Sequence, residues 1–590
     1  MGRAITIYAK GFFVTFAVFF LLSFIAGSQA SASGPATGVD AEILDLYGRI
    51  VDSHGTGVAK VEVMVEVDGK TVTRNEPGNH GPESGLKTME DGTFQGRYHF
   101  PPGVLAGAVV KVSAAKTSYA GDSLVITSDK IARTGHEFRA RADFTIKRAA
   151  GPAFWIAATV FVLAYALISF ELLHRTLAAM LGASVMLVIS YTFGTINPDY
   201  HILSYESAIK AIDMNVILLL MGMMIIIGIL KHTGVFQWCA YKSYQLARGN
   251  VMLLAVILMS FTAVTSAFLD NVTTMLLLTP VSIEIALSLG ISPLALLIPE
   301  ILASNIGGTA TLIGDPPNIM IGSYAGLTFM DFVHNLTPVC IVSMLVLFVY
   351  ARIGFGREYG KARIDDVQLF INQLREEYKI TDATLLSVGL IIMAMVVGLF
   401  LTHGYWHMEV SIAALFGASL LFTYGLVTKR INLLELVEKD IEWTTLLFFM
   451  FLFMLVGGVE ETGLLDIIAD GVLKLSGGDL TVSICLILWV AAIMSAFVDN
   501  IPFTATMLPI VAYLTEVIPG AESNVLWWAL AFGACFGGNG TMIGASANVV
   551  TLGIAESAGH SIKFIAYMKV AFPYMLLSVA IANVWLLLFY

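Results

Sequence analysis

Long apolar runs separated by short polar segments make up most of the chain from residue 154 onward. A helix that spans a bilayer needs about 20 consecutive, mostly apolar residues. Runs of that order occur near 154–173, 176–193, 213–232, 291–325, 335–352, 383–403, 410–427, 443–462, 525–550 and 564–590. The pattern therefore predicts an all-α polytopic membrane protein.

Two further apolar stretches, 251–288 and 480–518, each carry a polar cluster at their middle. Backbone can leave the helix at membrane depth only where protein or water satisfies its polar groups. We therefore expect these two stretches to form re-entrant hairpins, with the polar clusters at their tips.

The segment 41–148 has a different pattern, in which apolar and polar residues alternate in short runs. Val61 to Val67 alternates in this way and is followed by the turn pair Asp68-Gly69. Short alternating runs between Gly, Asp and Pro turns are typical of a β-sandwich. The stretches 47–52 and 91–94 resemble the carboxypeptidase-regulatory-like fold.

The N-terminal residues 1–30 hold a shorter apolar run, Phe12 to Ala26, preceded by Arg3 and Lys10 and followed by small residues. This is typical of a secretory signal peptide. An uncleaved first transmembrane helix is the alternative. Both readings send the β-rich segment across the membrane.

Basic residues predict the orientation, because Lys and Arg accumulate in cytoplasmic loops. With 41–148 outside, the basic residues at span ends fall inside: Arg175, Lys231, Lys242, Arg248, Arg352, Arg357, Lys361, Arg363, Lys429 and Arg430. The polar segment 356–382 is then a cytoplasmic linker between two membrane regions, 154–355 and 383–590. We expect the protein in the cell inner membrane, with the β domain extracytoplasmic.

Composition agrees with a membrane protein and excludes several classes. Hydrophobic residues make up 57% of the 590 residues, charged residues only 13%, and mean hydropathy is +0.79. The net charge of -11 argues against a nucleic-acid partner. Four cysteines, none between residues 30 and 150, argue against a disulfide framework and a cysteine-based metal site.

The two membrane regions repeat each other. The motif 266–271 (SAFLDN) recurs at 495–500 (SAFVDN), an offset of 499 − 270 = 229. Further matches, at an offset of 230, join Gly307 with Gly537, Thr311 with Thr541, Gly314 with Gly544 and Asn318 with Asn548. Each half would hold five spans and one hairpin. Because five is odd, the second half enters from the opposite face, which gives the inverted repeat of many secondary transporters.

Helix breaks at matching positions of the two halves point to the substrate site of such a transporter. Each half has a hairpin tip and, further on, a glycine-rich break in a span. Gly lets the backbone leave the helix and Pro ends it, which frees backbone groups to coordinate an ion. The candidate ion- and substrate-binding residues are Asp270, Asn271, Thr274, Asn305, Thr309, Thr311, Asp315, Asn318, Asp499, Asn500, Thr504, Asn539, Thr541, Ser546 and Asn548.

Carboxylates at membrane depth cost about 2.5–3.5 kcal/mol each, so a function or a fixed partner has to maintain them. Asp270 and Asp499 are therefore candidate sodium ligands that exchange a proton for the cation. Helix capping by the same two residues is the alternative. For Asp315, which precedes two prolines, the alternative to ion binding is a turn at a helix end.

Other acidic residues in apolar surroundings receive separate interpretations. We expect Asp213 and Glu442 to be interfacial charges at span ends. Glu284 is expected at the cytoplasmic interface, and the sequence assigns no role to Glu300.

The motifs 267–275 (AFLDNVTTM), 303–318 (ASNIGGTATLIGDPPN), 499–507 (DNIPFTATM) and 537–541 (GGNGT) resemble the ion transporter superfamily. Within it they are most similar to the ArsB/NhaD permease group, particularly its melanosomal branch. The resemblance covers about 154–590 and implies a homodimeric, elevator-type transporter in which hairpins and broken spans move together. Dicarboxylate carriers of the superfamily have Ser at the hairpin tips, where this chain has Asp270 and Asp499, as in sodium/proton antiporters of the NhaD type.

Three functions are compatible with these observations. The leading hypothesis is a sodium/proton antiporter for small inorganic ions, with sodium or protons as coupling ion and no other cofactor. The second is a permease for arsenite, chloride or an organic anion. The third is a membrane-anchored receptor, which predicts that deletion of 41–148 abolishes function. No phosphate loop and no nucleophile–base pair is visible, so the sequence favours neither an ATP-driven pump nor an enzyme.

Overall fold

The computed structural model describes the following residues: 42–52, 57–58, 61–72, 86–89, 91–105, 107–116, 119–127, 130–134, 137–147, 149–170, 172–362 and 378–590. The predicted signal or first helix, 1–30, lies outside the described residues, as does 363–377 of the predicted linker. The described chain divides into two compact units between residues 148 and 149.

The N-terminal unit is built from ten strands in two sheets. In the first sheet β1 (Glu42–Val51) pairs with β5 (Thr93–Phe100), β9 (Glu137–Arg141) and β10 (Phe144–Thr145), and β8 (Ala132–Thr134) pairs with β9. In the second sheet β2 (Glu62–Val67) pairs with β3 (Lys70–Thr71), β4 (Leu86–Lys87) and β6 (Val110–Ala115), and β7 (Asp122–Ile126) pairs with β6.

The alternation of β2 determines which side chains fill the core of this unit. Val63, Val65 and Val67 are buried, and the residues between them face outward or are half-buried. Asp68 and Gly69 both have positive φ, 49° and 78°, as a tight hairpin turn between β2 and β3 requires. Both sheets contribute to one hydrophobic core, which makes the unit a β-sandwich.

The membrane unit is helical, and eleven of its described helices are long and apolar enough to cross a membrane. The helices of the first half are α1 (Pro152–Ser169), α2 (Arg175–Ile196), α3 (Tyr205–Lys210), α4 (Met214–Lys231), α5 (Val235–Ala247), α6 (Val251–Phe268), α7 (Asn271–Ser288), α8 (Leu294–Thr309), α9 (Pro316–Ala325) and α10 (Phe329–Tyr359). Those of the second half are α11 (Ala383–Trp406), α12 (Val410–Val427), α13 (Trp443–Glu461), α14 (Leu464–Ser476), α15 (Leu480–Phe497), α16 (Asn500–Val517), α17 (Val525–Gly537), α18 (Ser546–Ser557) and α19 (Phe564–Phe589).

Seven helices follow in the same order in each half, α4 to α10 and α13 to α19. Their lengths match closely: α5 and α14 both have 13 residues, and α6, α7, α15 and α16 all have 18. Gly234 and Gly463, with φ of 75° and 82°, begin α5 and α14 in the left-handed conformation. The two halves that repeat each other in sequence therefore also contain the same order of helices.

Several boundaries differ from the sequence predictions. The amphipathic helices α5 and α14 were not predicted, and α10 continues through Tyr359 into the segment expected to be linker. The predicted glycine-rich breaks are present: they divide the apolar stretch 291–325 into α8 and α9, and 525–550 into α17 and the start of α18. The two helices of the first hairpin, α6 and α7, have 18 residues each. At 1.5 Å per residue each is about 27 Å long, nearly the thickness of the hydrocarbon core.

Close packing of small residues positions the broken helices against the hairpins. A Cβ atom on Gly307 of α8 would lie 2.1 Å from the carbonyl oxygen of Ala263 on α6. The equivalent atom on Gly537 of α17 would lie 2.5 Å from the carbonyl oxygen of Ala492 on α15. Only glycine lets these backbones approach so closely, as at many helix interfaces in membranes.

Candidate ion- and substrate-binding site

The two hairpin tips are sharp breaks at which an aspartate caps the following helix. Asp270 Oδ1 accepts from the amide of Val272 at 3.0 Å, and Oδ2 from the amide and hydroxyl of Thr273 at 3.0 and 2.6 Å. Asp499 Oδ1 accepts from the amide of Ile501 at 3.1 Å. Both aspartates are therefore helix caps, and Asp499 keeps its second oxygen for other partners.

The glycine-rich breaks are 310–315, between α8 and α9, and 538–545, between α17 and α18. Thr311 donates to the carbonyl of Ala267, and Thr541 donates to the carbonyl of Ala496. These bonds fasten each break to the end of the helix that leads into the hairpin tip. The tip and the break of each half therefore form one site.

Two asparagines satisfy backbone carbonyls at the breaks. Asn318 Nδ2 donates to the carbonyls of Thr309 and Thr311 at 3.0 and 2.9 Å. Asn548 Nδ2 donates to those of Gly538 and Thr541 at 2.7 and 2.9 Å. Because the side-chain nitrogens of both asparagines bind the broken backbone, their side-chain oxygens are the groups left to face the centre of the site, between the two halves.

Four asparagines from both halves meet in a buried network at that centre. Asn271 Nδ2 lies 3.3 Å from Asn305 Oδ1. Asn305 Nδ2 lies 2.9 Å from Asn539 Oδ1 and 3.0 Å from Asn548 Oδ1. None of the four is more than 3% exposed. The sequence predicted each residue separately, and the fold joins them across the repeat.

Asp315 and Asn500 form a second connection between the halves. Asn500 Nδ2 is 3.3 Å from both carboxylate oxygens of Asp315, and the two residues are 2% and 1% exposed respectively. Among the described residues, no Lys, Arg or His forms an ion pair with Asp315. The carboxyl is therefore buried opposite a neutral amide.

Two predicted ligands have buried polar atoms without a hydrogen-bond partner in the described chain, Thr274 Oγ1 and Asn539 Nδ2. Leaving such an atom unpaired costs about 1–3 kcal/mol. By contrast, the hydroxyls of Thr309 and Thr504 donate to carbonyls of their own helices, those of Asn305 and Asn500, at 2.6 and 2.7 Å. Thr274 and Asn539 therefore each keep one buried polar group that the described chain does not satisfy.

A cavity of about 530 Å³ lies next to the two tips. Its walls come from both halves, and its lining includes Val272, Leu276, His174, Arg175, Glu442, Thr445, Asp499, Ile543, Ser546 and Val549. Asp270, by contrast, borders a crevice of only about 10 Å³ among apolar side chains of α4, including Leu219 and Met223. The two tips therefore differ, since only Asp499 faces the large cavity.

Arg175 contacts the site directly, although in the sequence it served only as a marker of orientation. Its guanidinium lies 3.3 Å from Asp499 Oδ2 and also donates to Ser546. It further contacts Thr445 Oγ1 at 3.3 Å and lies over the ring of Phe448. Only the fold reveals this role, because 324 positions separate Arg175 from Asp499.

Glu442 also differs from its expected role as an interfacial charge. It lines the cavity, and its Oε2 accepts from Thr445 Oγ1 at 3.0 Å. Asp213, its counterpart in the repeat, caps α4 through the amides of Asn215 and Val216. Among the described residues, no group of three or more His, Cys, Asp or Glu side chains is placed to hold a metal ion.

Comparison with known proteins finds a family match and sequence relatives. The family described as "CitMHS: Citrate transporter" matches residues 165–533. The "Uncharacterized transporter Rv2684" of Mycobacterium tuberculosis is 41% identical over 437 residues, which are 74% of this chain and 98% of the relative. The human "P protein" is 34% identical over 508 residues, covering 73% of this chain and 59% of that protein.

A solved structure, that of the Alcanivorax borkumensis YdaH transporter, aligns with 70% of this chain and 98% of its own at 14% identity and a TM-score of 0.49. The family match and the two sequence relatives confirm the resemblance to the ion transporter superfamily that the motifs predicted.

Proposed function

The chain belongs to the citrate transporter family, and on that premise we propose that this multi-pass membrane transporter exchanges sodium ions for protons at its helix breaks. The observation that carries the proposal is Asp315, which is 1% exposed and faces the amide of Asn500 without a basic partner in the described chain. A buried carboxylate in such surroundings has to be neutralised by a proton or a bound cation.

The charges around the site support a cation rather than an anion as the main ligand. Asp270, Asp315, Asp499 and Glu442 are acidic. Among the described residues, the basic groups that act on them are Arg175, which contacts Asp499, and Lys231, which acts on Glu442 at longer range. With all of these groups ionised, the site has an excess of negative charge. Exchange of one proton for one sodium ion leaves the net charge of the site unchanged, because both carry a single positive charge.

The proton and the cation would exchange at the tips. Asp270 and Asp499 act as the alternating acceptors, and the neutral oxygens of Asn305, Asn539 and Thr274 complete the coordination of sodium. Since Asp499 is paired with Arg175 here, a cation that binds Asp499 has to displace the guanidinium. After such displacement the guanidinium would retain its contacts with Thr445 and Phe448.

Alternating access would follow from the inverted repeat. In this proposal α6 to α9 and α15 to α18 move together as an elevator past the other helices, and two copies form a homodimer in the inner membrane. Lys231, at the end of α4, lies 3.3 Å from Asp440, shortly before α13. If basic residues mark the cytoplasmic side, the cavity beside Glu442 opens toward the cytoplasm.

An anion permease is the second candidate, and Arg175 is the observation that favours it. A guanidinium in a cavity of about 530 Å³ can bind a carboxylate through two parallel hydrogen bonds. The family description, citrate transporter, names such an anion. This function requires Asp499 and Glu442 to be neutralised by protons or sodium when the anion binds.

Proton flux in proteoliposomes separates the two candidates. A pH gradient is imposed, and sodium, lithium, potassium, arsenite, succinate or citrate is added in turn. Wild type is compared with Asp270→Asn and Asp499→Asn, which keep a capping side chain and lose the charge. Asp479→Asn is the matched control, because Asp479 caps α15 at an exposed position.

Sodium-dependent collapse of the gradient in wild type and in Asp479→Asn, but in neither tip variant, supports the antiporter. Uptake of an anion without cation-dependent proton movement rejects it in favour of the permease.

A further inference from the structure

Glu300 on α8 is a buried carboxyl outside the central site. It is 1% exposed, and its Oε2 accepts a hydrogen bond from Ser282 Oγ on α7 at 2.8 Å. Its other oxygen, Oε1, is buried and has no hydrogen-bond partner in the described chain. A carboxyl in membrane-spanning helices is expensive unless it has a function or a fixed partner.

The surroundings of Glu300 offer no charge to balance an ionised carboxylate. Ile283, next to Ser282 on α7, and Leu297, one turn before Glu300 on α8, pack with Ala555 of α18 in an apolar cluster. Among the described residues no Lys, Arg or His forms an ion pair with Glu300. The titratable side chain that interacts with it is Tyr359 of α10, whose hydroxyl donates to the carbonyl of Ala295 at 2.8 Å. The neutral acid is therefore the form that this site accommodates.

The repeat shows that the fold does not need this pair. At the offset of 229 residues Val511 stands in the position of Ser282, and at the offset of 230 Leu530 stands in that of Glu300. Apolar side chains thus stand at both positions in the second half, and both are fully buried. A role in transport explains why the first half carries a carboxyl and a hydroxyl there.

Glu300 is also close to the central network along its own helix. It precedes Asn305 by five residues, which corresponds to about 7.5 Å of helix rise. On α7, Thr279 lies one turn from Ser282 and 3.5 Å from Thr551 of α18. Thr274, further along α7, has the unpartnered hydroxyl of the central site. Polar groups therefore continue from the centre toward Glu300.

We propose that Glu300, with Ser282 as its hydrogen-bond donor, is a second proton-binding site of this transporter, separate from the hairpin tips. The site holds one proton on the carboxyl and releases it when the moving helices expose Glu300 to water. Proton binding itself does not depend on the identity of the transported ion. Only the coupling of this proton to transport rests on the proposed function.

Labelling with an apolar carbodiimide tests proton binding without any transport assay. The reagent modifies a protonated carboxyl in apolar surroundings, and mass spectrometry of the full-length protein in lipid identifies the labelled residue. We expect Glu300 to be labelled at neutral pH and less so at alkaline pH. We expect Ser282→Ala to change this pH dependence, because the carboxylate loses its donor. Exposed Glu522 serves as the control carboxyl.

Transport in proteoliposomes then tests the coupling. Glu300→Gln keeps the shape of the protonated side chain and cannot release a proton, so the pH profile of cation-driven proton flux should shift or the flux should be lost. Glu300→Asp should retain pH dependence, and Glu522→Gln should behave as wild type.

Absence of labelling at Glu300 at every pH overturns the proton site, whatever the transported ion. A Glu300→Gln variant with the wild-type pH profile overturns its part in transport. If the wild type moves no proton with any cation, the antiporter is rejected, and labelling still decides whether Glu300 holds a proton.

Discussion

Asn500 contacts both carboxylate oxygens of Asp315 at 3.3 Å, although the two residues are 185 positions apart and belong to different halves of the repeat. Each residue comes from a helix break, Asn500 from the second hairpin tip and Asp315 from the first glycine-rich break. The repeat is asymmetric here, because Ala545 stands in the position of Asp315 in the second half. The carboxylate of Asp315 therefore connects a break of the first half with a break of the second.

Replacement of Asp315 by Asn should abolish cation-dependent proton flux and leave the protein folded. The amide has the shape of the neutral acid and removes the buried group that needs a proton or a cation. Flux in proteoliposomes and elution on size-exclusion chromatography measure the two effects, with Asp479→Asn as control. Wild-type flux in Asp315→Asn would rule out a role for this carboxyl in coupling.

Replacement of Arg175 by Gln should distinguish the two candidate functions. If sodium competes with the guanidinium for Asp499, the sodium concentration for half-maximal flux should fall. If Arg175 binds an anion, anion uptake should be lost. Thr445→Ala, which removes one contact of the guanidinium, is the matched control. An unchanged sodium dependence together with intact anion uptake would show that Arg175 has neither role.

Replacement of Asn305 by Ala should destabilise the membrane unit and abolish transport. Asn305 bonds three other buried asparagines, and each polar group that loses its partner costs about 1–3 kcal/mol. Thermal unfolding in detergent measures the loss. Asn335→Ala removes two hydrogen bonds outside the buried network, one to the carbonyl of Asp331 and one from the hydroxyl of Tyr590, and should have a smaller effect. Equal melting temperatures for the two variants would contradict a stabilising network.

Replacement of Gly307 by Ala should lower the stability of the membrane unit by at least about 1–3 kcal/mol, the usual cost of overpacking. The added Cβ would lie 2.1 Å from a backbone oxygen of α6, which cannot move without displacing the hairpin. Gly398→Ala is the control, because no atom lies within 4 Å of its added Cβ. The measurement is again thermal unfolding, and similar curves for both variants would refute the tight contact.

The β-sandwich should lose stability in acid partly through Asp91. Hydrogen bonds from the hydroxyl and amide of Thr93 lower the pKa of this exposed carboxyl below its ordinary value. A lowered pKa stabilises the fold above the pKa of the unfolded chain, about 3.9, and the contribution is lost as the pH falls through the folded value. Circular dichroism of the full-length protein during acid titration should show a smaller acid effect in Asp91→Asn. Identical titrations would contradict the link.

The sequence alone determined the class of protein and the positions of the helix breaks. Span length follows from bilayer thickness, and the matching motifs at Asp270 and Asp499 follow from the repeat. Both signals are read directly from the order of residues, the first from the length of apolar runs and the second from the recurrence of short motifs, so neither depends on how the helices pack. The alternating run 61–67 likewise predicted a β-rich domain, and β2 lies within that run.

The amphipathic helices α5 and α14 were missed because their apolar residues are too few for a membrane-length run. The end of α10 was placed too early, because its last residues are polar and the apolar run that marks a span stops before them. The backbone hydrogen bonds of the helix nevertheless continue to Tyr359.

Only the tertiary structure decided which polar side chains contact one another. The partners of Arg175, Asp315 and Glu300 lie 324, 185 and 18 positions away respectively, and no spacing rule connects them. Their contacts depend on how helices from both halves pack, which the close approach of Gly307 and Gly537 to neighbouring backbones determines. The sequence thus located the polar residues, and the packing of the helices determined which of them form a common site.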